Sequence, residues 1–273
     1  MEQLSGKTAA ITGAGSGIGR ALALKLAENG CHLALSDIDG KALAETAALL
    51  GRYPVKTTTH IMDVADREQV YRYADDAAAR HGQIDMIINN AGVAVVDSVE
   101  GVSYEDFEWL MGINFWGVVY GTKAFLPYLR KQPEGHVVNI SSINGFVTWP
   151  NHSPYCSAKF AVKGFTEVLL QELDGTPIRV SCVHPGGIKT NIARNSRFNE
   201  PANKKMDKDG SVRTFEKMAH TTADRAAQII VNGIRKNKRR ILVGPDAYVI
   251  DGLTRLFPVS FVKFMGFVTK RIG

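Results

Sequence analysis

Apolar and polar positions follow two periods along this chain. Short runs rich in aliphatic and β-branched residues, at 8–12, 31–36, 55–61, 84–88, 137–140, 178–183 and 241–243, have the length and composition of strands. Between them, apolar residues recur every three or four positions, which predicts helices. The first carries Ile18, Leu22, Leu26 and Ala27 on one side. Others cover 42–50, 66 to about 80, 104–129, 153–174 (with Phe165, Leu169 and Leu173) and 223–236. Asp66 stands where a helix cap is needed. Gly112, Gly117 and Gly121 interrupt the 104–129 stretch without ending it. Seven strands alternating with helices predict one α/β domain over residues 1–273, a doubly wound parallel sheet with right-handed crossovers and helices on both faces.

Two segments break the pattern. Residues 191–219 have weak periodicity, few apolar anchors and several lysines and arginines, which suits a solvated lid over a site. Residues 253–273 are the reverse, apolar with basic flanks. Phe257, Phe261, Phe264, Met265 and Val268 form a helical stripe, and Arg255, Lys270 and Arg271 flank it. Such a face calls for burial against a partner subunit, over the active site, or at an anionic membrane surface, for which it is long enough to lie on but not to span.

Composition adds bounds. At 273 residues, with 45% hydrophobic residues and 26 glycines, the chain has the balance of a globular protein rich in tight turns. A net charge of +6 from 33 basic and 27 acidic residues is a mixed surface without a long basic run, which disfavours a nucleic-acid partner. Cys31, Cys156 and Cys182 stand apart, and none of the histidines is spaced as a metal ligand set, so neither disulfides nor a metal is expected. With no signal-peptide core near the first residues and no transmembrane-length apolar run, the expected compartment is the cytoplasm, with membrane association through the tail as the alternative.

Several stretches at the predicted carboxyl ends of strands carry chemistry, and that is where such sheets bind ligands. After the first strand comes Thr12-Gly13-Ala14-Gly15-Ser16-Gly17-Ile18-Gly19, a glycine turn opening a helix, able to bring backbone N–H groups to a pyrophosphate. Asp37 ends the second strand. It is either an acceptor for the adenosine ribose hydroxyls or the cap of the helix starting near Gly40. A 2′-phosphate there would meet like charge with no nearby arginine, Lys41 being the nearest basic candidate, so NAD is preferred over NADP. Asp63 and Val64 close the third strand, and Asn89, Asn90, Ala91 and Gly92 follow the fourth.

Tyr155 and Lys159 lie one helical turn apart, so an ammonium sits beside a phenol. A free tyrosine has a pKa of about 10, and acid–base work near neutrality asks for roughly 3 units from its surroundings. Ser142, at the end of the fifth strand, can hydrogen-bond a substrate oxygen facing that phenol. Asn114 is either a buried amide satisfying backbone groups or the centre of a helix distortion that holds a water. Phe146 and Trp149, in the loop before Tyr155, are either a substrate wall or packing. Pro185 and Gly186 fix a turn, and Thr190 can set its hydroxyl against a carboxamide.

In their order along residues 5–250 these motifs resemble those of the short-chain dehydrogenase/reductase family. That resemblance implies a Rossmann-like fold and reversible hydride transfer between NAD(P) and an alcohol or carbonyl. It implies Asn114, Ser142, Tyr155 and Lys159 as the catalytic four, Asp63 as the adenine contact and the Pro185–Gly186 to Thr190 stretch as the nicotinamide-side loop. Ile38, Val64 and Ile188 join the cofactor set beside Gly13, Gly15, Ser16, Gly17, Ile18, Gly19, Asp37, Asn90, Ala91 and Gly92. Tyr155 and Lys159 also hold cofactor, and Ser142, Phe146, Trp149 and Tyr155 meet substrate. Ser16 stands where NADP-preferring members often carry Arg or Lys, which agrees with the reading of Asp37. The family also implies a homodimer or homotetramer built on the 104–131 and 153–174 helices. The aromatic loop and tail suggest a hydrophobic substrate such as a steroid, retinoid or long-chain alcohol. An NAD-dependent epimerase or dehydratase would need a larger lobe after the sheet, and a non-catalytic NAD-binding regulator would be expected to lose part of the catalytic set.

Overall fold

The computed structural model describes residues 1–198 and 208–261. In chain order the strands are β1 (Thr8–Thr12), β2 (His32–Asp37), β3 (Thr57–Ile61), β4 (Met86–Asn89), β5 (Val95–Val96), β6 (Gly135–Ile140), β7 (Ile178–Pro185), β8 (Ile188–Lys189), β9 (Arg197–Phe198), β10 (Thr221–Thr222) and β11 (Arg240–Val243). The helices are α1 (Gly17–Glu28), α2 (Gly40–Leu50), α3 (Arg67–His81), α4 (Tyr104–Met111), α5 (Gly117–Leu129), α6 (Ser153–Glu172), α7 (Lys208–Met218), α8 (Ala223–Arg235) and α9 (Pro245–Leu256). Seven strands form one parallel sheet in the order β11-β7-β6-β4-β1-β2-β3. The order reverses beside β1, so the loops after β1 and β4 part to opposite sides and leave a crevice at the carboxyl edge.

The strands alternate between two cores, as period-two burial requires. Ala9, Ile11, Leu33, Leu35, Met86 and Ile88 pack with Leu22 and Leu26 of α1 and Ile230 and Ile234 of α8. Ala10, Ala34 and Ile87 face the other way, onto Val70 of α3, Phe125 of α5 and Leu169 of α6. Each of the large side chains fully buried this way contributes about 1.5–3 kcal/mol. A polar line also crosses the second layer. Asn89 Nδ2 donates to Thr122 Oγ1 at 3.1 Å and to Asn139 Oδ1 at 2.8 Å, and Asn139 Nδ2 donates to Thr166 Oγ1 at 3.0 Å. It ties α5 and α6 to the paired residues Asn89 and Asn139 of neighbouring strands.

Several elements differ from the sequence expectation. The third strand starts at Thr57, is only half-buried and forms the sheet's outer edge. The fourth starts at Met86, and just before it buried Asp85 turns its carboxylate to Lys7 Nζ (3.0 Å) and to the Thr8 amide (2.8 Å). The 104–129 helix is three pieces, with a π-helical turn at Gly112–Trp116 between α4 and α5. The 191–219 segment is anchored rather than free at its start: β9 pairs with β5, and the Arg197 guanidinium lies 3.5 Å from the Trp109 ring centre and 2.7 Å from Asp106. Residues 199–207, within the expected lid, lie outside the described residues, as do Phe264, Met265, Val268 and the rest of 262–273. Among the described residues no helix is long and apolar enough to cross a membrane.

Candidate active site

The glycine turn leaves β1 and packs directly on the chain leaving β4. Gly13 has φ +65°, and a Cβ there would sit 2.8 Å from the Ala91 Cα, so both conformation and space require glycine. Thr12 Oγ1 accepts from the amides of Asn90 and Ala91 (3.0 and 3.1 Å), and Asn90 Nδ2 donates to Thr12 O and Gly13 O. Asn90 thus acts by fastening two loops. Ser16, exposed and extended, begins α1 without a side-chain cap on the first helical amides. An uncapped helix start in a glycine turn offers donors and a favourable field to an anion. Thr190 packs on Gly17 from across the crevice, its Cγ2 3.3 Å from where a Cβ of Gly17 would lie.

Asp37 is not the helix cap. Asp39 takes that place, accepting from the amides of Lys41 and Ala42. Asp37 instead binds the glycine turn, Oδ2 accepting from Gly15 N at 2.7 Å and Oδ1 from Asp39 N at 3.0 Å. The half-buried carboxylate keeps lone pairs for the two hydroxyls of a ribose. An arginine does stand near, contrary to the sequence expectation. Arg20 donates to Gly15 O, Ala42 O, Thr46 Oγ1 and Glu45, stitching the turn to α2. Those bonds engage the guanidinium, and Glu45 balances its charge. Neither Arg20 nor Thr46 carried a signal in the sequence, because their partners are mostly backbone atoms remote in the chain.

The remaining predicted cofactor residues divide into two groups. Ile38 is exposed beside Asp37, and Asp63 stands in the loop after β3 with Oδ1 accepting from Ala65 N. Gly92 lies against Asn114 and Lys159, and Pro185 to Thr190 line the opposite side. Val64 and Ile188, by contrast, have buried side chains, Val64 packed against Gly117 and Ile188 in the core, so only their backbone faces the crevice. The ring of glycines, the uncapped α1 start and the half-exposed Asp37 carboxylate together fit a dinucleotide.

The catalytic candidates converge where β6 ends and α6 begins. Ser141 Oγ donates to Lys159 O at 2.8 Å, fixing α6 to the strand end. Buried Lys159 donates from Nζ to Ile140 O at 3.0 Å, and its ammonium lies 5.6 Å from the Tyr155 ring centre. A Cβ on Gly92 would come within 3.7 Å of that Nζ and 3.3 Å of Asn114 Oδ1, so Gly92, Asn114 and Lys159 meet at one spot. Buried Asn114 is spent on one residue, Oδ1 accepting from Val93 N (2.8 Å) and Nδ2 donating to Val93 O (2.9 Å). Both sequence readings of Asn114 therefore hold in part. Its amide satisfies backbone groups, and it sits at the π distortion.

Protonation departs from the simple phenol–ammonium picture. Burial pushes Tyr155 up to about 12, against which a hydrogen bond with Ser142 pulls down. Burial likewise brings Lys159 down to about 8. Desolvation is the largest influence on both groups, and Lys159 is directed at a carbonyl. Behind Ser142, His184 is buried and neutral, burial bringing it down to about 4. Its Nδ1 lies 3.0 Å from Ser142 O. Phe146 packs at a tilt of 59° on His184 (5.2 Å between centres), with the Arg240 guanidinium 4.9 Å from its ring centre. Phe146 and Trp149 pack with Ile143, Val147, Ala247 and Phe261 in one cluster, so the loop's aromatics meet the C-terminal segment.

A parallel sheet with a nucleotide crevice at its carboxyl edge, and a Ser, Tyr and Lys set at one lip, defines a dinucleotide-dependent enzyme class. Residues 7–201 match the family model of the short chain dehydrogenases. A putative oxidoreductase, SadH, of Mycobacterium tuberculosis is 43% identical over 268 residues, covering 97% of this chain and 96% of that protein. The crystal structure of a short chain dehydrogenase/reductase from Burkholderia phymatum in complex with NAD superposes with a TM-score of 0.84 at 30% identity, over 93% of this chain and 95% of that one. A short chain dehydrogenase from Mycobacterium paratuberculosis bound to NAD gives 0.76 at 27% identity, over 88% and 97%. The chain belongs to the short-chain dehydrogenase/reductase family and is an oxidoreductase.

Proposed function

We propose that this protein is an NAD-preferring dehydrogenase/reductase of hydrophobic alcohols or carbonyls, with Asn114, Ser142, Tyr155 and Lys159 as its catalytic set. The observation that carries this reading is that Lys159, beside Gly92, has its ammonium 5.6 Å from the Tyr155 ring centre, with Ser142 in hydrogen-bond reach of that phenol. When bound, the nicotinamide supplies the hydride acceptor or donor. The protein supplies the proton and the alignment. Gly13 to Gly19 and the start of α1 hold the pyrophosphate, Asp37 the adenosine ribose, and Asp63 with Val64 the adenine side. Asn90 to Gly92 and Pro185 to Thr190 close on the other half. Ser142 donates to the substrate oxygen and holds it against Tyr155, which moves the proton. Lys159 keeps a positive charge below its value of about 8 and has further donors for ribose hydroxyls. Asn114 sits in the π turn, whose backbone carbonyl or side-chain amide anchors a water.

Two further parts of this reading rest on surface chemistry. Trp116, Phe160 and Val168 are exposed on the π turn and α6, which supports a homodimer or homotetramer assembled on those helices. The apolar cluster of Phe146, Trp149 and Phe261 beside the site supports a hydrophobic substrate. The test is the near-ultraviolet absorbance of NADH during turnover, with alcohols graded in length and ring number. Oxidation with NAD of a bulky apolar alcohol is expected, and silence with every alcohol and carbonyl on the panel overturns the proposal.

A further inference from the structure

The loop from Pro185 to Thr190 is held in place by a residue that lies after the sheet is complete. Asp246, on the first turn of α9, accepts the Gly187 amide on Oδ2 at 2.6 Å. Its carboxylate lies so close to Gly186 that a Cβ there would overlap it. Gly186 N donates to Val243 O at 2.9 Å, and the Gly187 carbonyl accepts from Thr221 N at 3.3 Å. Both peptide groups of the turn are therefore fixed, and β8 pairs with β10 immediately after it. Gly244, with φ +100°, aims the chain so that Asp246 returns over the loop instead of leaving it. The loop's other end packs Thr190 against Gly17 of the phosphate turn. On the far side, Ala247 is buried among Ile143, Val147 and Phe261, so α9 cannot shift without moving that cluster.

We infer that Asp246 is a positioning residue for the 185–190 loop, and that through it the C-terminal helix sets the grip on the nicotinamide half of the cofactor. This rests on the NAD reading above. A charge-assisted hydrogen bond to one amide at a glycine pair is directional, and loss of it frees a turn with little side-chain packing of its own. The competing role for Asp246 is to stabilise the start of α9 as a first-turn acid. Asp246→Glu separates the two. It keeps the negative charge on the helix, but the added methylene has no room against Gly186.

The experiment measures NADH and 5′-AMP affinity on the intact protein by calorimetry, with peptide hydrogen exchange over 185–190. AMP reports the adenosine half, which Asp246 does not touch. Asp246→Ala and Asp246→Glu are expected to bind NADH about tenfold more weakly, the scale of one lost charged hydrogen bond. Both are expected to bind AMP as wild type does and to exchange faster at 185–190. Asp246→Asn, which keeps an acceptor oxygen, should stay within about threefold of wild type for NADH. A wild-type NADH affinity in either Asp246→Ala or Asp246→Glu overturns the inference, as does an equal fall for AMP and NADH. If the wild-type protein binds neither nucleotide, the cofactor reading itself falls and takes this one with it. Should Asp246→Ala fail to fold, the Glu and Asn pair carries the same comparison.

Discussion

Lys159 gives a hydrogen bond to the carbonyl of Ile140 at 3.0 Å while its ammonium rests 5.6 Å from the centre of the Tyr155 ring. The lysine is thus oriented by the sheet, and the phenol remains a proton donor in the absence of further charge, with burial pushing it to about 12. Removing the Tyr155 hydroxyl leaves no equivalent proton carrier in the site. Tyr155→Phe should lower kcat by about 10²–10⁴-fold with NADH affinity retained. Steady-state rates beside NADH titration check this, and a variant keeping more than about a tenth of the wild-type kcat would refute the role.

Asp37 joins the proposed cofactor choice to loop geometry, since the carboxylate proposed to meet the ribose also accepts the Gly15 amide. The wild-type kcat/KM ratio should favour NAD over NADP. Asp37→Ala should shrink that ratio and raise KM for both cofactors, because the turn loses its anchor. Parallel kinetics with the two cofactors decide it. A wild-type preference for NADP would mean that Arg20 leaves Glu45 to meet a 2′-phosphate.

Gly121 lies under Asn89, and a Cβ there would overlap Asn89 Oδ1 and come within 3.1 Å of its Cγ. Gly121→Ala should therefore break the polar line between α5 and the sheet. The expected loss is about 1–3 kcal/mol from overpacking, plus whatever the displaced amide leaves unpaired. Chemical denaturation measures it, and an unchanged midpoint would mean that α5 can shift without penalty.

Acid should unfold this protein through its buried histidines. His136 is fully buried, with Nε2 2.8 Å from Ser181 Oγ, and burial lowers it from 6.5 to about 3. Between those values the unfolded chain binds a proton that the folded chain does not. The stability is therefore complete above pH 6.5 and is lost as pH falls toward about 3. Each pH unit in that window removes about 1.4 kcal/mol through this residue alone. His184, lowered to about 4 by burial, steepens the loss. His136→Gln should flatten the dependence of the denaturation midpoint on pH between about 6 and 4, and an unaltered slope would show that His136 is not the group that titrates.

Phe261 is 5% exposed and packs on Ile143 and Val147, in the loop that follows Ser142. Phe261→Ala should remove about 3 kcal/mol of local packing. It should raise KM for a bulky alcohol more than for a short one, since the loosened loop is the proposed substrate wall. Kinetics on two alcohols of different length test it. Equal KM values to wild type for both would place the aromatic tail outside the substrate region.

The fold was legible because its signals are local. Seven apolar runs, each followed by turn or helix signals, specify strands whichever neighbours they later acquire, and the glycine turn, Tyr155 and Lys159 fall on elements of the expected type. Element ends were less legible. The fourth strand begins later than its apolar run, and Asp85 just before it ties to the base of β1, a contact invisible to periodicity. At the site, the sequence showed which residues meet but not how they are turned. Lys159 is aimed by Ile140, Phe146 is held between His184 and Arg240, and Asp246 grips a loop some sixty residues earlier in the chain. Each of these depends on close approach across the fold, and aspartates, arginines and phenylalanines occur too widely for spacing to reveal it.

The line from Thr122 through Asn89 and Asn139 to Thr166 has a consequence for catalytic alignment. β4 delivers Asn90 to Gly92 to the crevice, β6 delivers Ser142, and α6 carries Tyr155 and Lys159. The line passes through all three carriers near the carboxyl ends of the strands, and its hydrogen bonds tolerate only small changes of length. A slide of α6 along the sheet would break the Asn139–Thr166 bond in a place where water has no access to replace it. The proposed proton donor, substrate clamp and cofactor loop are in this way indexed to one another through the sheet, so that the loops beyond them can vary in shape while these residues keep their mutual register.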